Sequence, residues 1–330
     1  EVQLSKFIGC KYSIGVSSGT DALLMALMAL DIKPGDEIIT TPFTWISSSE
    51  VISLLRAIPV FVDINPKTFN IDETKIQAKI TSKTKAILPV SLFGKMCNLS
   101  EIMNIAKQNN VFVIEDAAQS LGSRLGDINS CSLADISCTS FYPTKSLGCW
   151  GDGGACFTNN LELYEKILAI RNHGGKERDH HTVIGINGRL DTLQAGILLV
   201  KLNYLNSDLE SRRNNANRYN QHLKKLKNIE IPFCNVDDYH IYSQYTIIVK
   251  NGLRDNLLDY LKNHNINVSV FYPTSLHMQP CFKYLNYLEG DFPNSENIGK
   301  MVISLPVYPE LKLDEQMTVI EKINDWDIIT

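Results

Sequence analysis

The chain predicts an α/β fold: a large domain with a mostly parallel mixed sheet flanked by helices, then a smaller C-terminal α+β domain. Two patterns carry that expectation. From residue 20 to about 170, short β-branched runs alternate with helix-period runs, the signature of βαβ units and a largely parallel sheet. Beyond residue 230, strand-like and helical runs mix without strict alternation. Composition agrees, since 44% apolar and 21% charged residues are ordinary for a globular protein.

The elements can be read in order. Ser18 or Thr20 caps a helix whose apolar run, Ala22 to Leu30, ends at the turn Lys33-Pro34-Gly35-Asp36. A strand follows at Glu37 to Thr40. After Pro42 comes a helix through Val51 to Arg56, then the strand Val60 to Val62 and the turn signal Asn65-Pro66. A helix near Asp72 to Ile80, a strand at Ala86 to Val90, a helix near Leu99 to Gln108 and a strand at Val111 to Ile114 complete the alternation. Leu202, Leu205, Leu209, Ala216, Tyr219, Leu223 and Leu226 recur at helical steps, predicting a long bridging helix over about 203–227. That places a large domain at 1–205 and a small one at 206–330. The latter has strand-like runs at Tyr245 to Val249 and Val268 to Tyr272, and helices at Leu253 to Asn263 and Asp314 to Asn324. With no repeat and no Gly/Ser linker, the two lobes are expected to pack together.

The 330 residues suffice for a well-formed core. The formal charge of −4 excludes a general affinity for nucleic acid or anionic lipid, so any phosphate must be held locally. The longest apolar run falls well short of the roughly 20 residues that span a bilayer, and no membrane span is expected. The chain opens on Glu1 without an initiator Met, so some N-terminal sequence is expected to precede it; neither a basic n-region nor an apolar h-region is present. The eight cysteines contain no Cys-x-x-Cys pair and read as reduced, cytoplasmic thiols rather than a disulfide framework or metal site.

Three short stretches can carry chemistry. Ser17-Ser18-Gly19-Thr20-Asp21 places small residues directly before a helix, where unpaired N–H groups and the positive dipole end can hold a phosphate. An ordinary helix cap has the same look, and no Walker loop or G-x-G-x-x-G supports a nucleotide reading. In Val111 to Ser120, Glu115 and Asp116 close a strand at the end where open α/β sheets bind ligands. Alternation sends the two to opposite faces, so one at most meets a given ligand; capping the next helix is the other use of such a carboxylate. Between Ser137 and Ala155, Lys145 lies between a strand-like run and a glycine-rich turn. Most lysines are solvated surface charges, but one whose pKa is depressed becomes a Schiff-base nucleophile. In this order, the three match the needs of pyridoxal phosphate: an anchor for its phosphate, a carboxylate for its ring nitrogen and an amine for its aldehyde.

At these residues the chain resembles the DegT-type nucleotide-sugar aminotransferases, of fold-type I among pyridoxal-phosphate (PLP) enzymes. The likeness runs from Gly9 to the end, and is most specific at 15–23, 114–120, 140–154 and 187–195. It implies that Lys145 carries the cofactor aldehyde and shuttles the proton between cofactor and sugar carbons. It implies that Asp116 pairs with the ring nitrogen, Gln119 lies beside the ring and Trp45 stacks on it, while Gly19, Thr20 and Ser140 hold the phosphate. Alone, Trp45 would read as a core aromatic. The family's homodimers share their active sites: Asn187 would help to hold the neighbour's phosphate, and Arg189 would meet an acidic substrate group there. Without that resemblance Arg189 reads as a surface or ion-pair residue.

The blocks Pro89 to Gly94, His173-Gly174 with His180-His181, and Gly185 to Gln194 are similar to the branch that aminates carbon 3 of UDP-2-acetamido-3-oxo-glucuronate. That branch uses L-glutamate as donor, cycles through pyridoxamine phosphate and serves surface-polysaccharide or lipopolysaccharide biosynthesis. The His pair, flanked by Lys176, Glu177, Arg178 and Asp179, reads otherwise as an exposed polar loop. Phe93 replaces a tyrosine and Phe271 a histidine of that branch, removing a hydroxyl and an imidazole near the expected substrate pocket. Tyr272 matches and can bond the sugar or its diphosphate; His277 is a further contact candidate or an ordinary loop histidine. The family also begins some thirty residues earlier, with a segment that forms part of the active-site rim. The rivals are a sibling acting on a dTDP-linked 3-oxo or 4-oxo deoxysugar, and a non-catalytic ligand sensor on the same fold. No basic stripe favours nucleic-acid binding, and no metal is expected.

Overall fold

A computed structural model describes residues 1–177 and 179–330; Arg178, with the side chain of its neighbour Lys176 in the charged loop, lies outside the described residues. Helix α1 (Val2–Ile8) leads into strand β1 (Tyr12–Val16), helix α2 (Gly19–Ala29), strand β2 (Glu37–Thr40), helix α3 (Ser47–Leu54) and strand β3 (Ile58–Phe61). Then come β4 (Thr84–Ile87), α4 (Leu99–Asn109), β5 (Phe112–Asp116), the hairpin β6 (Arg124–Leu125) and β7 (Ile128–Asn129), β8 (Ile136–Ser140), β9 (Gly154–Thr158) and α5 (Leu161–Arg171). A second hairpin, β10 (Gly175–Glu177) and β11 (His180–His181), precedes α6 (Thr192–Leu202) and α7 (Leu205–Leu223). The last part holds β12 (Ile229–Glu230), β13 (Asp238–Tyr239), β14 (Tyr245–Val249), α8 (Arg254–Asn263), α9 (Pro293–Gly299), β15 (Val302–Leu305) and α10 (Leu313–Ile329).

Seven strands form the main sheet in the order β1-β9-β8-β5-β4-β2-β3. Strands β3, β2, β4, β5 and β8 pair in parallel, and β9 runs antiparallel to both neighbours. The parallel strands bury both faces, so their apolar runs show no polar side. Alternation sorts the side chains. Ile38, Ala86 and Ile114 join the core beneath α2 and α3, whereas Ile39, Ile87 and Val113 join the core beneath α4. Helix α2 is apolar nearly all round because it is buried, with Ala22, Leu23, Met25, Ala26, Leu27 and Ala29 all inside. Burying a side chain the size of Leu27 contributes about 1.5–3 kcal/mol.

A separate core gathers Tyr219, Leu223, Tyr245, Ile247, Val249, Leu257, Ile303 and Trp326 around a three-stranded antiparallel sheet, β12-β14-β15. The predicted apolar stripe is present: Leu205, Leu209, Ala216, Tyr219 and Leu223 are all buried on α7. The helix is shorter than 203–227, and a break at Asn203-Tyr204 separates it from α6.

Two expected elements differ. The segment Asp72 to Ile80 forms two single 3₁₀ turns, Glu73–Lys75 and Gln77–Lys79. Its one fully buried apolar anchor, Ile76, cannot define a helical stripe. Val268 to Tyr272 is no strand; a single bridge links Ser269 to Ser304, after which the chain leaves the sheet ahead of Pro273, which has no N–H for a ladder. The strand expected to run from Ala86 to Val90 ends at Ile87, although Val90 still bridges Asp116. Among the described residues, all eight cysteines are free thiols, no His/Cys/Asp/Glu cluster could hold a metal, and no helix is long and apolar enough to cross a membrane.

Candidate active site

A cavity of about 440 Å³ opens at the C-terminal ends of the parallel strands, bounded by the start of α2, the residues around Trp45, the ends of β5 and β8, and the 271–272 segment. Open α/β sheets bind ligands at this edge because strand ends and helix starts converge there. Its lining includes Gly19, Thr20, Trp45, Asp116, Gln119, Ser140, Lys145 and Tyr272, eight of the residues singled out from the sequence.

The end of the cavity at the start of α2 is built by close packing. Ser18 is the N-cap of α2 and its hydroxyl accepts from the Asp21 N–H at 3.0 Å. The first-turn N–H groups of a helix have no helical acceptor, and Ser18, Gly19 and Thr20 all face the cavity. A β-carbon at position 19 would lie 2.7 Å from the Cβ of Ser140, so only glycine lets the helix start approach β8 this closely. At Gly154 the same addition would come within 2.5 Å of the Ser18 carbonyl. The Thr20 hydroxyl is 2.8 Å from that of Ser47.

At the other end lies Asp116. It shares its sheet face with Ile114, accepts from the Ser48 hydroxyl at 2.8 Å and from the Ala118 N–H at 3.1 Å. Burial pushes its carboxyl above the usual range, against the opposing pull of those two bonds and of the Lys145 charge. Lys145 sits in the turn after β8, its N–H donating to the Tyr142 carbonyl at 2.8 Å. Burial lowers its pKa, with Asp116 pulling the other way, so desolvation wins. The result is an amine eased toward its neutral, nucleophilic form beside an acid that holds charge at a cost.

Glu115 points to the opposite face, as alternation requires. It is fully buried and accepts from the hydroxyls of Ser91, Ser130 and Ser137 and from the Cys131 N–H. Gln119 accepts from the Phe93 N–H at 2.8 Å and donates to the Tyr272 hydroxyl at 3.1 Å. Trp45 is 61% exposed at the mouth, 6.4 Å from the Tyr272 ring, and is no core residue.

Three expected site residues lie elsewhere. Asn187 and Arg189 are exposed, tethered by bridges to Asn172 and Val16, and neither lines this chain's own cavity. His277 is a correction: its side chain is wholly buried, its Nε2 lies 3.0 Å from Glu296 and its ring packs on Phe292, outside the cavity. Phe93 also lies behind the cavity, in an aromatic cluster with Phe43 and Phe69, whereas Phe271 does line it. The expected His180-His181 stretch is the exposed strand β11. Sequence reasoning missed Thr44, Ser47, Ser48, Asp152 and Gln244. The run Ser47-Ser48-Ser49 was the available signal, since three buried serines at a helix start need polar partners.

The sequence profile of the DegT/DnrJ/EryC1/StrS aminotransferase family matches residues 1–324. The "pleiotropic regulatory protein" of Geobacillus stearothermophilus is 43% identical over 328 residues, covering 99% of this chain and 88% of the relative. The UDP-2-acetamido-2-deoxy-3-oxo-D-glucuronate aminotransferase of Pseudomonas aeruginosa is 43% identical over 311 residues, covering 94% and 85%. The dTDP-3-amino-3,6-dideoxy-alpha-D-galactopyranose transaminase of Aneurinibacillus thermoaerophilus is 40% identical over 326 residues, covering 99% and 88%. The solved structure of NtdA from Bacillus subtilis with bound cofactor PMP superposes with a TM-score of 0.92 at 34% identity, covering 98% of this chain and 75% of that one. With the profile spanning nearly the whole chain and a cavity that gathers the expected lysine, aspartate and helix start, this protein belongs to the DegT/DnrJ/EryC1/StrS aminotransferase family.

Proposed function

We propose that this sugar aminotransferase moves the amino group of L-glutamate to the C3 keto carbon of UDP-2-acetamido-3-oxo-glucuronate, for surface-polysaccharide biosynthesis. The observation that carries the reading is the meeting of Lys145, Asp116 and the start of α2 in one cavity, in a chain 43% identical to an enzyme named for that ketosugar.

The residues fit pyridoxal phosphate, the cofactor of this family. The donor set at Ser18 to Thr20 and Ser140 suits a phosphate, and Gly19 lets the start of α2 and Ser140 close on one another there. The Asp116 carboxylate suits a protonated ring nitrogen, and the Lys145 amine suits an aldehyde. When bound, the cofactor supplies an electron-accepting ring and a carbonyl that can hold an amine. Lys145 would hold the aldehyde end, and its Nζ would take up and return the proton. Asp116, anchored by Ser48 and the Ala118 N–H, would present its charge to the ring nitrogen. Gly19, Thr20 and Ser140 would hold the phosphate, and Trp45 and Gln119 would lie by the ring. Tyr272 orients the sugar or its diphosphate, and the nucleotide grips the substrate away from the reacting carbon, so that orientation supplies much of the rate.

We place Asn187 and Arg189 in the site of a second copy. Helix α6 supports that reading: Leu193, Leu199 and Val200 are exposed on it and Tyr204 just beyond it, and of its residues only Leu198 is buried. Such an apolar face needs a cover, and a homodimer with shared sites provides one. We also infer two lobes, 1–205 and 206–330, with the cavity where they meet.

The test is a panel of nucleotide ketosugars with glutamate, read by mass spectrometry of the amino-sugar product. Turnover restricted to the acidic UDP-ketosugar supports the assignment. Preference for a dTDP-linked 3-oxo deoxysugar supports the second reading, which the Aneurinibacillus relative favours at 40% identity. Failure to convert the cofactor's absorbance on adding glutamate would identify a non-catalytic sensor.

A further inference from the structure

We infer that Gln119 fixes the hydrogen-bond polarity of Tyr272, so that the tyrosine keeps its proton for a ligand. The assignment of a ligand there rests on the transaminase reading above, whereas the polarity rests on four groups in the structure.

The first is the Phe93 N–H, which can only donate. Its position is held from both sides. Phe93 and Gly94 have φ values of +57° and +95°, and the Gly94 carbonyl accepts from the Ile241 N–H at 3.0 Å. A β-carbon at Gly94 would meet the Ser243 and Tyr242 nitrogens at 2.7 and 2.8 Å, so this turn is pressed against the 241–243 segment. The Phe93 N–H therefore cannot swing away, and the group 2.8 Å from it must be an acceptor. That settles the amide of Gln119: a flipped amide would set its NH₂ against an N–H. The Ser243 hydroxyl, which donates to the Gln119 carbonyl, anchors the backbone of the same residue.

The amide nitrogen then faces the Tyr272 oxygen, 3.1 Å away, and the phenol accepts. A phenol that accepts there keeps its O–H for another partner, and none is found among the described residues. Tyr272 lines the cavity together with Lys145 and Asp116, and burial holds its phenol protonated at neutral pH. The ligand atom that receives this O–H is thus an acceptor, such as the oxygen of a carbonyl, carboxylate or phosphate.

The test replaces Tyr272 of the holoenzyme by 3,5-difluorotyrosine, whose fluorines bring phenol ionisation into an accessible pH range and report it by ¹⁹F NMR. The first variant is Gln119→Glu, whose carboxylate accepts from both neighbours, the phenol O–H included. It should raise the ionisation midpoint by about one pH unit or more, tenfold in the ionisation constant. Gln119→Met keeps the volume, removes the donated bond to the phenolate and should raise the midpoint by a smaller, resolvable step. A midpoint unmoved in either variant overturns the inference. The titration needs no ketosugar, so a wrong substrate assignment leaves it intact, and an unmoved midpoint leaves transamination intact.

Discussion

Glu115 and Asp116 are consecutive on β5, yet one carboxylate is locked among Ser91, Ser130, Ser137 and the Cys131 N–H while the other faces the cavity. The pleat alone separates them, and it gives them opposite mutational signatures. Glu115→Ala strips the acceptor from four buried donors and should cost about 3 kcal/mol or more in urea unfolding, with the cofactor site chemically intact. Asp116→Asn should cut turnover about a hundredfold or more, because it removes charge where charge is used.

Asp116→Asn should also stabilise the cofactor-free protein. Asn keeps the acceptor for the Ala118 N–H, and the Ser48 hydroxyl can reverse its role to accept from the new NH₂. Burial raises the Asp116 pKa above its unfolded value, so the folded state holds that proton more tightly and loses stability as pH rises through the shifted pKa. The variant's advantage should be absent below about pH 4, where Asp116 is protonated in both states, and present at pH 8. Equal advantages at both pH values would show that burial of the charge is not the cause.

Lys145 has the reverse sign. Burial lowers its pKa, so the neutral amine is present at lower pH than for a solvated lysine. Recombination of pyridoxal phosphate with the cofactor-free protein, followed by visible absorbance, should accelerate with pH along a curve whose midpoint lies below the ordinary lysine value. Lys145→Ala should abolish both the covalent absorbance band and turnover.

How much of this was legible follows from the range of each interaction. The helix start at Ser18 to Asp21, the alternation of Glu115 with Asp116 and the stripe on α7 are local patterns, and each stands in the structure as read. What sequence could not supply was anything set by contacts between distant segments. Ser48 reaches Asp116 across 68 positions, and His277 is claimed by Glu296 and Phe292 rather than by the cavity. Trp45 departs from the usual burial of its residue type, standing exposed at the cavity mouth.

Close packing at the start of α2 gives a prediction of its own. Gly154→Ala forces a methyl to within 2.5 Å of the Ser18 carbonyl, a rigid backbone atom, and must push the start of α2 away from β9. Overpacking of this kind costs about 1–3 kcal/mol. The displaced helix start should also weaken cofactor retention about tenfold, measured as pyridoxal phosphate lost on dialysis. Gly126→Ala is the control, since nothing lies within 4 Å of its added carbon, although its positive φ of +57° carries a small strain cost without any effect on cofactor.

Sharing of sites between two copies can be tested by mixing two dead proteins. Lys145→Ala removes the amine, and Arg189→Ala removes a guanidinium that is exposed and lies outside its own chain's cavity. If each site takes its lysine from one chain and its arginine from the other, a mixed dimer rebuilds one complete site. Random reassociation makes half the dimers mixed, so activity toward the acidic ketosugar should return to roughly a quarter of the parent value. If Arg189 instead served its own chain, every site in the mixture would lack one group, and no activity would return. Adding Leu193→Glu, which places a charge on the exposed apolar face of α6, should yield monomers by sedimentation and prevent the rescue.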